Sequence, residues 1–168
     1  MLELLDTVTP GDLPSHPNAI AGYVDGRWPS FDAMHALMPS IPCLSIATSA
    51  LSRAMVLDVE AGDASFMEAA AWLGLMHGFG MARPVLYTSA SRIDSGVKYL
   101  ASLGIHRDRY RVWSAHWTGI PHICGPACGV RGERPGATQY RGAAAGQHYD
   151  RSVSSRAWIA AVVDDFDR

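Results

Sequence analysis

The 168-residue chain contains very little lysine and cysteine. Lys98 is its one lysine, and its cysteines are Cys43, Cys124 and Cys128. An odd, small number of cysteines argues against a disulfide framework. Charged residues make up 18% of the chain, the net charge is −2, and like charges form no block. We therefore predict no nucleic-acid partner, because such binding uses a concentrated basic surface.

Long apolar runs are also missing from the sequence. No segment stays apolar over the roughly 20 residues that a membrane-spanning helix requires, so we expect no membrane partner. The first residues include Glu3 and Asp6, where a secretory signal peptide needs a basic flank followed by an apolar stretch. We expect that the chain does not direct its own secretion.

What is present is an alternation of short apolar segments and helical patterns. Apolar residues make up 48% of the chain, enough for a sizeable core, and we predict a single domain over 1–168. The clearest predicted helices cover 64–80, 91–104 and 154–166. Strands are predicted at 2–6, 19–26, 41–48, 53–60, 83–89, 110–117, 121–124 and 136–142.

Strands that alternate with helices favour a parallel sheet. About eight strands predict an α/β fold of the compact, partly reduced (β/α)8 TIM-like barrel type, since complete barrels usually need about 250 residues. An open, doubly wound sheet is the alternative. That fold normally carries a glycine-rich phosphate turn after the first strand, and this sequence has none there.

Two carboxylates, Asp58 and Glu60, lie two positions apart in the apolar segment "VLDVEAG". Side chains at positions i and i+2 of a strand point to the same face. In a barrel, the carboxyl ends of the strands carry the chemistry. The first strand ends at Asp6, the second leads to Asp25, and Asp150 follows the last strand. We predict that these five acids surround one rim.

Aromatic, amide and imidazole side chains occur near the ends of the same strands. The candidate substrate-binding residues, besides Asp25, are Tyr23, Tyr87, His116, Trp117, Gln139 and Tyr140. Acids interleaved with such groups are typical of polysaccharide sites, and glycoside hydrolysis needs one protonated carboxyl and a second, negative group. The D-x-E pair alone is also compatible with a structural pair capped by arginine, a metal site or a chance arrangement.

The order of the motifs resembles the family 25 glycoside hydrolases, which are lysozymes of the muramidase type. It also resembles the related glycoside-hydrolase-like domains of actinobacteria and their phages. The segments that carry the resemblance follow one another along nearly the whole chain: "LLDTV", "AGYVDGRWP", "MVLDVEAGD", "RPVLYTS", "WSAHWTG" and "ATQYRG…HYDRSV".

The resemblance implies a role for each acid. Glu60 would be the general acid, and Asp58 would stabilise the developing charge or orient an acetamido group. Asp6 and Asp150 match the family's other acidic positions, and Asp25 has no firm counterpart. Such an enzyme cleaves peptidoglycan without a cofactor. It would stay in the cytoplasm until released, or would be carried on a virion, where other virion proteins or a second copy are possible partners.

The chain also departs from those lysozymes. It is shorter, its connection from the third to the fourth strand is clipped, and the loop "GIPHICGPACGVRGERPG" has no counterpart in them. The alternative function is therefore a catalytically inactive glycan-binding or structural barrel module, for example on a phage particle.

Two chemical expectations follow from the residues. Glu60 should titrate above its free pKa of about 4.3, because it lies among other acids and partial burial adds to their effect, whereas Asp58 should stay ionised. His122, Cys124 and Cys128, with His116, offer donors for tetrahedral zinc. The loose C-x3-C spacing instead favours a local disulfide or two free thiols, so we predict that no metal binds there.

Overall fold

In the computed structural model, which describes residues 1–144 and 146–167, eight strands close into a barrel in chain order. The strands are β1 (Leu2–Asp6), β2 (Ala19–Tyr23), β3 (Cys43–Ala47), β4 (Val56–Asp58), β5 (Val85–Ser89), β6 (Arg111–Ala115), β7 (Ala137–Arg141) and β8 (Asp150–Ser154). The helices in this part of the chain are α1 (Phe31–Leu37), α2 (Phe66–Gly78), α3 (Ala90–Ser102) and α4 (Arg156–Phe166).

The strands from β1 to β7 are parallel to their neighbours, but β8 runs antiparallel to both β7 and β1. The predicted strand at 121–124 is wrong, because that segment has no strand and leads into a short 3-10 turn, Pro126–Cys128. The strand that closes the barrel is instead β8, a segment that lies beyond the last predicted strand, 136–142, and for which no strand was predicted. An antiparallel strand needs no crossover helix, so a short connection from β7 suffices.

The fold is therefore a mixed α/β barrel with fewer helices than a complete (β/α)8 barrel, although the three helices predicted from the sequence are present. Within the described residues, four α-helices accompany the eight strands, and no α-helix connects β3 to β4 or β6 to β7. The alternative of an open, doubly wound sheet is excluded because the barrel is closed. Among the described helices, none is long and apolar enough to cross a membrane.

Side chains alternate between the barrel interior and the layer under the helices. Leu4, Ile46, Val56 and Trp113 belong to the interior cluster, and Ile159 and Val162 of α4 pack against the same cluster. The outer cluster joins Trp72 and Leu73 of α2 to strand residues such as Leu57 and Leu86. Since successive strand residues face opposite sides, the apolar runs of β3 and β4 serve both clusters.

The carboxylate of Asp165 fastens α4 to the amino ends of β5 and β6. Its oxygens accept hydrogen bonds from the backbone N–H groups of Ala82 and Arg83 and from Arg111 Nη1, each at 2.8 Å. Burial acts to raise the pKa of Asp165, but these hydrogen bonds outweigh it and lower the pKa overall.

We expect Asp165→Ala to lower the free energy of unfolding by about 3–5 kcal/mol, because it leaves the largely buried Arg111 guanidinium without its ion-pair partner and two N–H groups without their acceptor. Urea denaturation followed by circular dichroism measures this loss. The matched control is Asp164→Ala, whose side chain is exposed, with an expected change within about 0.5 kcal/mol. Equal destabilisation by both variants would contradict the assigned role of Asp165.

Candidate active site

Four carboxylates meet at the end of the barrel where the parallel strands finish. Asp6 is the last residue of β1, Asp58 is the last of β4, and Glu60 follows two residues later. Asp150 is the first residue of β8 and pairs in register with Asp6. Because β8 is antiparallel, its first residue lies at the same end of the barrel as the last residues of the other strands. The structure thus brings together the four acids to which the sequence assigned catalysis.

Gln139 of β7 organises the polar groups around these acids. Its Oε1 accepts hydrogen bonds from the Tyr87 hydroxyl and from Trp117 Nε1, both at 2.6 Å. Its Nε2 donates to Asp150 Oδ2 at 2.7 Å. With both ends of the amide occupied, the side chain has one preferred orientation, and it holds Tyr87, Trp117 and Asp150 in fixed positions relative to one another.

Burial makes the deepest acids weak. Together with the nearby charges of Asp63 and Glu60, it raises the pKa of Asp58 to about 8, against the opposing effect of a hydrogen bond from Tyr23. Burial also raises the pKa of Asp6 well above its usual range, and the charge of Asp150 adds to that effect. The prediction that Asp58 stays ionised is therefore wrong: with 5% of its surface exposed, its charged form loses more hydration than the hydrogen bond from Tyr23 replaces.

Glu60 differs from these two acids because it is partly exposed. Burial raises its pKa, Arg92 opposes the rise, and the charges of Asp63 and Asp150 add to it. The direction agrees with the prediction from the sequence. The causes differ from the prediction. Burial contributes most to the raised pKa, and the neighbouring charge on this segment that raises it is that of Asp63 rather than that of Asp58.

Two clefts flank the acids at this mouth of the barrel. The first, of about 360 Å³, is lined by Glu60, Ser89, His116 and Trp117, among others. The second, of about 210 Å³, is lined by Tyr23, Asp25, Trp28, Thr48 and Asp63, among others. Trp117 is 67% exposed and Trp28 is 59% exposed. An exposed indole therefore borders the acids on each side.

Asp25, one of the predicted substrate-binding residues, uses its carboxylate for contacts within the protein. The Asp25 carboxylate accepts hydrogen bonds from Thr48 N at 2.7 Å, Thr48 Oγ1 at 2.9 Å and Ser49 N at 3.1 Å. Its partial burial acts to raise its pKa, but the hydrogen bonds outweigh this and lower it. Asp25 thus lines the second cleft while holding the turn after β3.

The structure does not bring Tyr140 to the mouth. Its hydroxyl donates to Glu3 Oε1 at 2.9 Å, on the side of the sheet opposite Gln139. Adjacent residues of a strand point to opposite faces, so an inward Gln139 requires an outward Tyr140. His116 does line the first cleft, and its Nδ1 also lies 3.1 Å from His122 Nε2, so the ring belongs in addition to a cluster in the loop that follows.

Sequence reasoning missed three residues of the mouth, namely Asp63, Trp28 and Arg92. Asp63 raises the pKa of both Asp58 and Glu60. Arg92 Nη1 donates to the carbonyl of Val59 at 2.9 Å, which places its charge beside the D-x-E segment. Asp63 follows Glu60 by three positions in "DVEAGD", and Trp28 lies two positions after the second predicted strand in "GRWP", so position along the chain was the available signal.

A larger cavity, of about 670 Å³, lies between α1 and α4. Phe31, Ile41, Ile159 and Val163 line it together with other residues, and none of the four converging acids does. The volume of a cavity alone does not identify an active site. The groups with perturbed pKa values, which do indicate one, lie at the barrel mouth. We therefore place the candidate active site at the mouth.

Comparison with known proteins identifies the fold. No family model and no curated protein sequence matches the chain. Among solved structures, a muramidase from Acremonium alcalophilum matches with a TM-score of 0.62 and 11% identity, covering 98% of this chain and 99% of that one. The chain shares its fold with a muramidase. An uncharacterized protein of B. stearothermophilus matches with a TM-score of 0.66 and 14% identity, covering 99% of both chains.

Proposed function

We propose that this protein is a glycoside hydrolase of the muramidase type that cleaves peptidoglycan, with Glu60 as its general acid. The single observation that carries the proposal is the position of Glu60. It is a partly exposed carboxyl with a raised pKa, it lines an open cleft, and it stands beside three further acids at the mouth of a barrel. The fold shared with a muramidase supports the same choice.

In the proposed reaction, Glu60 donates its proton to the oxygen of the leaving sugar as the glycosidic C–O bond breaks and positive charge develops on the ring of the other sugar. A water molecule then supplies the hydroxyl group at that ring carbon, and its proton passes to a carboxylate of the cluster, which restores the site. Asp58 lies two residues away along the strand. A positive charge nearby lowers the pKa of a carboxyl, so Asp58 ionises most readily when the ring becomes cationic. The cluster therefore stabilises the transition state more than the neutral ground state, which is the condition for catalysis.

The exposed indoles supply the binding surface of the proposed site. Flat aromatic faces pack against sugar rings, and Trp117 and Trp28 stand in the clefts on opposite sides of the acids. A glycan chain that crosses the mouth would contact one indole on each side and expose the bond between them to Glu60. We further propose that the protein acts at the cell wall, either after release from the cytoplasm or from a virion.

Trp117→Ala is expected to weaken binding of soluble peptidoglycan fragments by about tenfold, because it removes one stacking surface. Trp117→Phe loses the hydrogen bond to Gln139. It keeps an aromatic face, so it should retain most of the affinity. Isothermal titration with the Glu60→Gln protein measures binding without turnover. If the alanine variant binds as tightly as its parent, the cleft is not a sugar subsite.

A second candidate function, a non-catalytic glycan-binding module, is favoured by one observation. Asp6 and Asp58 are each 5% exposed, and Asp6 Oδ2 and Asp58 Oδ1 have no hydrogen-bond partner among the described residues. In the free protein a glycan would therefore meet Glu60 and the indoles before it met the buried pair. The test is the release of reducing ends from purified Gram-positive walls: hydrolysis supports the enzyme, whereas wall binding without release supports the module.

A further inference from the structure

Four metal-binding side chains converge in the connection between β6 and β7. They are His116, His122, Cys124 and Cys128, and one ligand atom from each lies within 4.8 Å of the others. His116 Nδ1 is 3.1 Å from His122 Nε2, and Cys124 Sγ is 3.7 Å from the same His122 nitrogen. Both cysteines are free thiols, Cys124 fully buried and Cys128 partly buried.

These separations fit a tetrahedral zinc ion. With Zn–N bonds of about 2.05 Å and Zn–S bonds of about 2.3 Å, tetrahedral ligands stand about 3.3 Å apart for two nitrogens and about 3.6 Å apart for nitrogen and sulfur. The observed distances of 3.1 and 3.7 Å lie within a few tenths of an ångström of those values. Two cysteines with two histidines also form a common ligand set of structural zinc sites.

The surroundings of His122 orient it as a ligand. Its Nδ1 lies 2.8 Å from the carbonyl oxygen of Ile120, an acceptor that fixes the proton on Nδ1. The unprotonated Nε2 then faces His116 and Cys124. Metal-bound histidines typically donate their second ring N–H to a backbone carbonyl in this way.

The backbone holds both ends of the ligand segment against β7. His116 N donates to the carbonyl of Gln139 at 2.8 Å, and Cys124 N donates to Thr138 Oγ1 at 2.9 Å. The 3-10 turn Pro126–Cys128 then returns the chain toward Cys124, and Gly129 ends it at a φ of 79° that other residues rarely adopt. The four donors are thus positioned by the fold before any ion arrives.

We propose that these side chains bind one zinc ion in a closed, structural site: His116, His122, Cys124 and Cys128. Four protein ligands complete the tetrahedron and leave no position for water, which distinguishes a structural zinc from a catalytic one. The ion holds the loop that carries Trp117, the residue next to the first ligand. The proposal does not depend on the hydrolase function, and it replaces the prediction that these cysteines bind no metal.

Untagged protein, produced with zinc in the medium and passed through gel filtration, should retain about one zinc per chain by elemental analysis. Cys124→Ser, Cys128→Ser and His122→Gln should lose most of that metal. The matched control is Cys43→Ser, which removes the cysteine of β3 that lies outside the cluster and should keep its zinc. Cobalt added to metal-free wild-type protein should give the intense visible bands of a tetrahedral thiolate site.

Three results would overturn the proposal. The first is wild-type protein with substoichiometric zinc and no tetrahedral cobalt spectrum. The second is an unchanged zinc content in Cys128→Ser. Cys128 is partly exposed, so this variant should fold even if substitution of the buried Cys124 prevents folding. The third is a Cys124–Cys128 disulfide in protein purified under reducing conditions, found by mass spectrometry.

Discussion

Replacing Glu60 with glutamine is expected to lower the rate of peptidoglycan cleavage by about 10²- to 10⁴-fold, the usual contribution of a positioned general acid. Glutamine keeps the size of the side chain and its place in the cleft, but it has no proton to donate at the leaving oxygen. Because the Glu60 side chain is partly exposed and makes no hydrogen bond to the described residues, the folded structure should tolerate the change.

The assay is the loss of turbidity of Gram-positive cell walls, together with the release of reducing ends. The matched control is Glu133→Gln, an exposed glutamate that pairs with Arg83 away from the clefts, and it should keep full activity. The acid must be protonated to act, so wild-type activity should fall as the pH rises through the raised pKa of Glu60. Lysis by Glu60→Gln at the wild-type rate would assign the acid to another residue.

The sequence predicted the first six strands and the acids at their ends because apolar segments alternate regularly with helical patterns. It failed at β8 for a physical reason. The inward residues of that strand are Asp150, Ser152 and Ser154, and the outward ones include Arg151, so the strand lacks the apolar alternation that marks a half-buried strand. Its polar interior face is what completes the site.

The errors in the site have a common origin. Whether a carboxyl is charged depends on the atoms that cover it, and the sequence does not show that Asp58 is covered on nearly all sides. The sequence offered His116 and the donors of the following loop as possible zinc ligands, but it did not show that they converge. His116 follows β6 while Cys124 is held against β7, and only the pairing of these neighbouring strands brings their side chains together. Spacing along the chain cannot reveal such contacts.

Asp58→Asn is expected to make the protein more stable at pH 8 and to leave it nearly unchanged at pH 4. The folded protein holds a proton on Asp58 up to a pKa of about 8, whereas the unfolded chain releases it near the ordinary aspartate pKa of 3.8. Between these values the folded state binds one more proton than the unfolded state, so rising pH removes stability at about 1.4 kcal/mol per unit. Asparagine resembles the protonated carboxyl and carries no such dependence.

Urea denaturation at a series of pH values measures the effect, with an expected gain for Asp58→Asn of about 3–5 kcal/mol at pH 8. Asp164→Asn, at an exposed acid of α4, is the matched control and should follow the wild-type curve. A gain in stability that is accompanied by loss of lysis would show that the buried acid is kept for function at the expense of stability. Parallel curves for wild type and Asp58→Asn would contradict the raised pKa and, with it, the charge-stabilising role of Asp58.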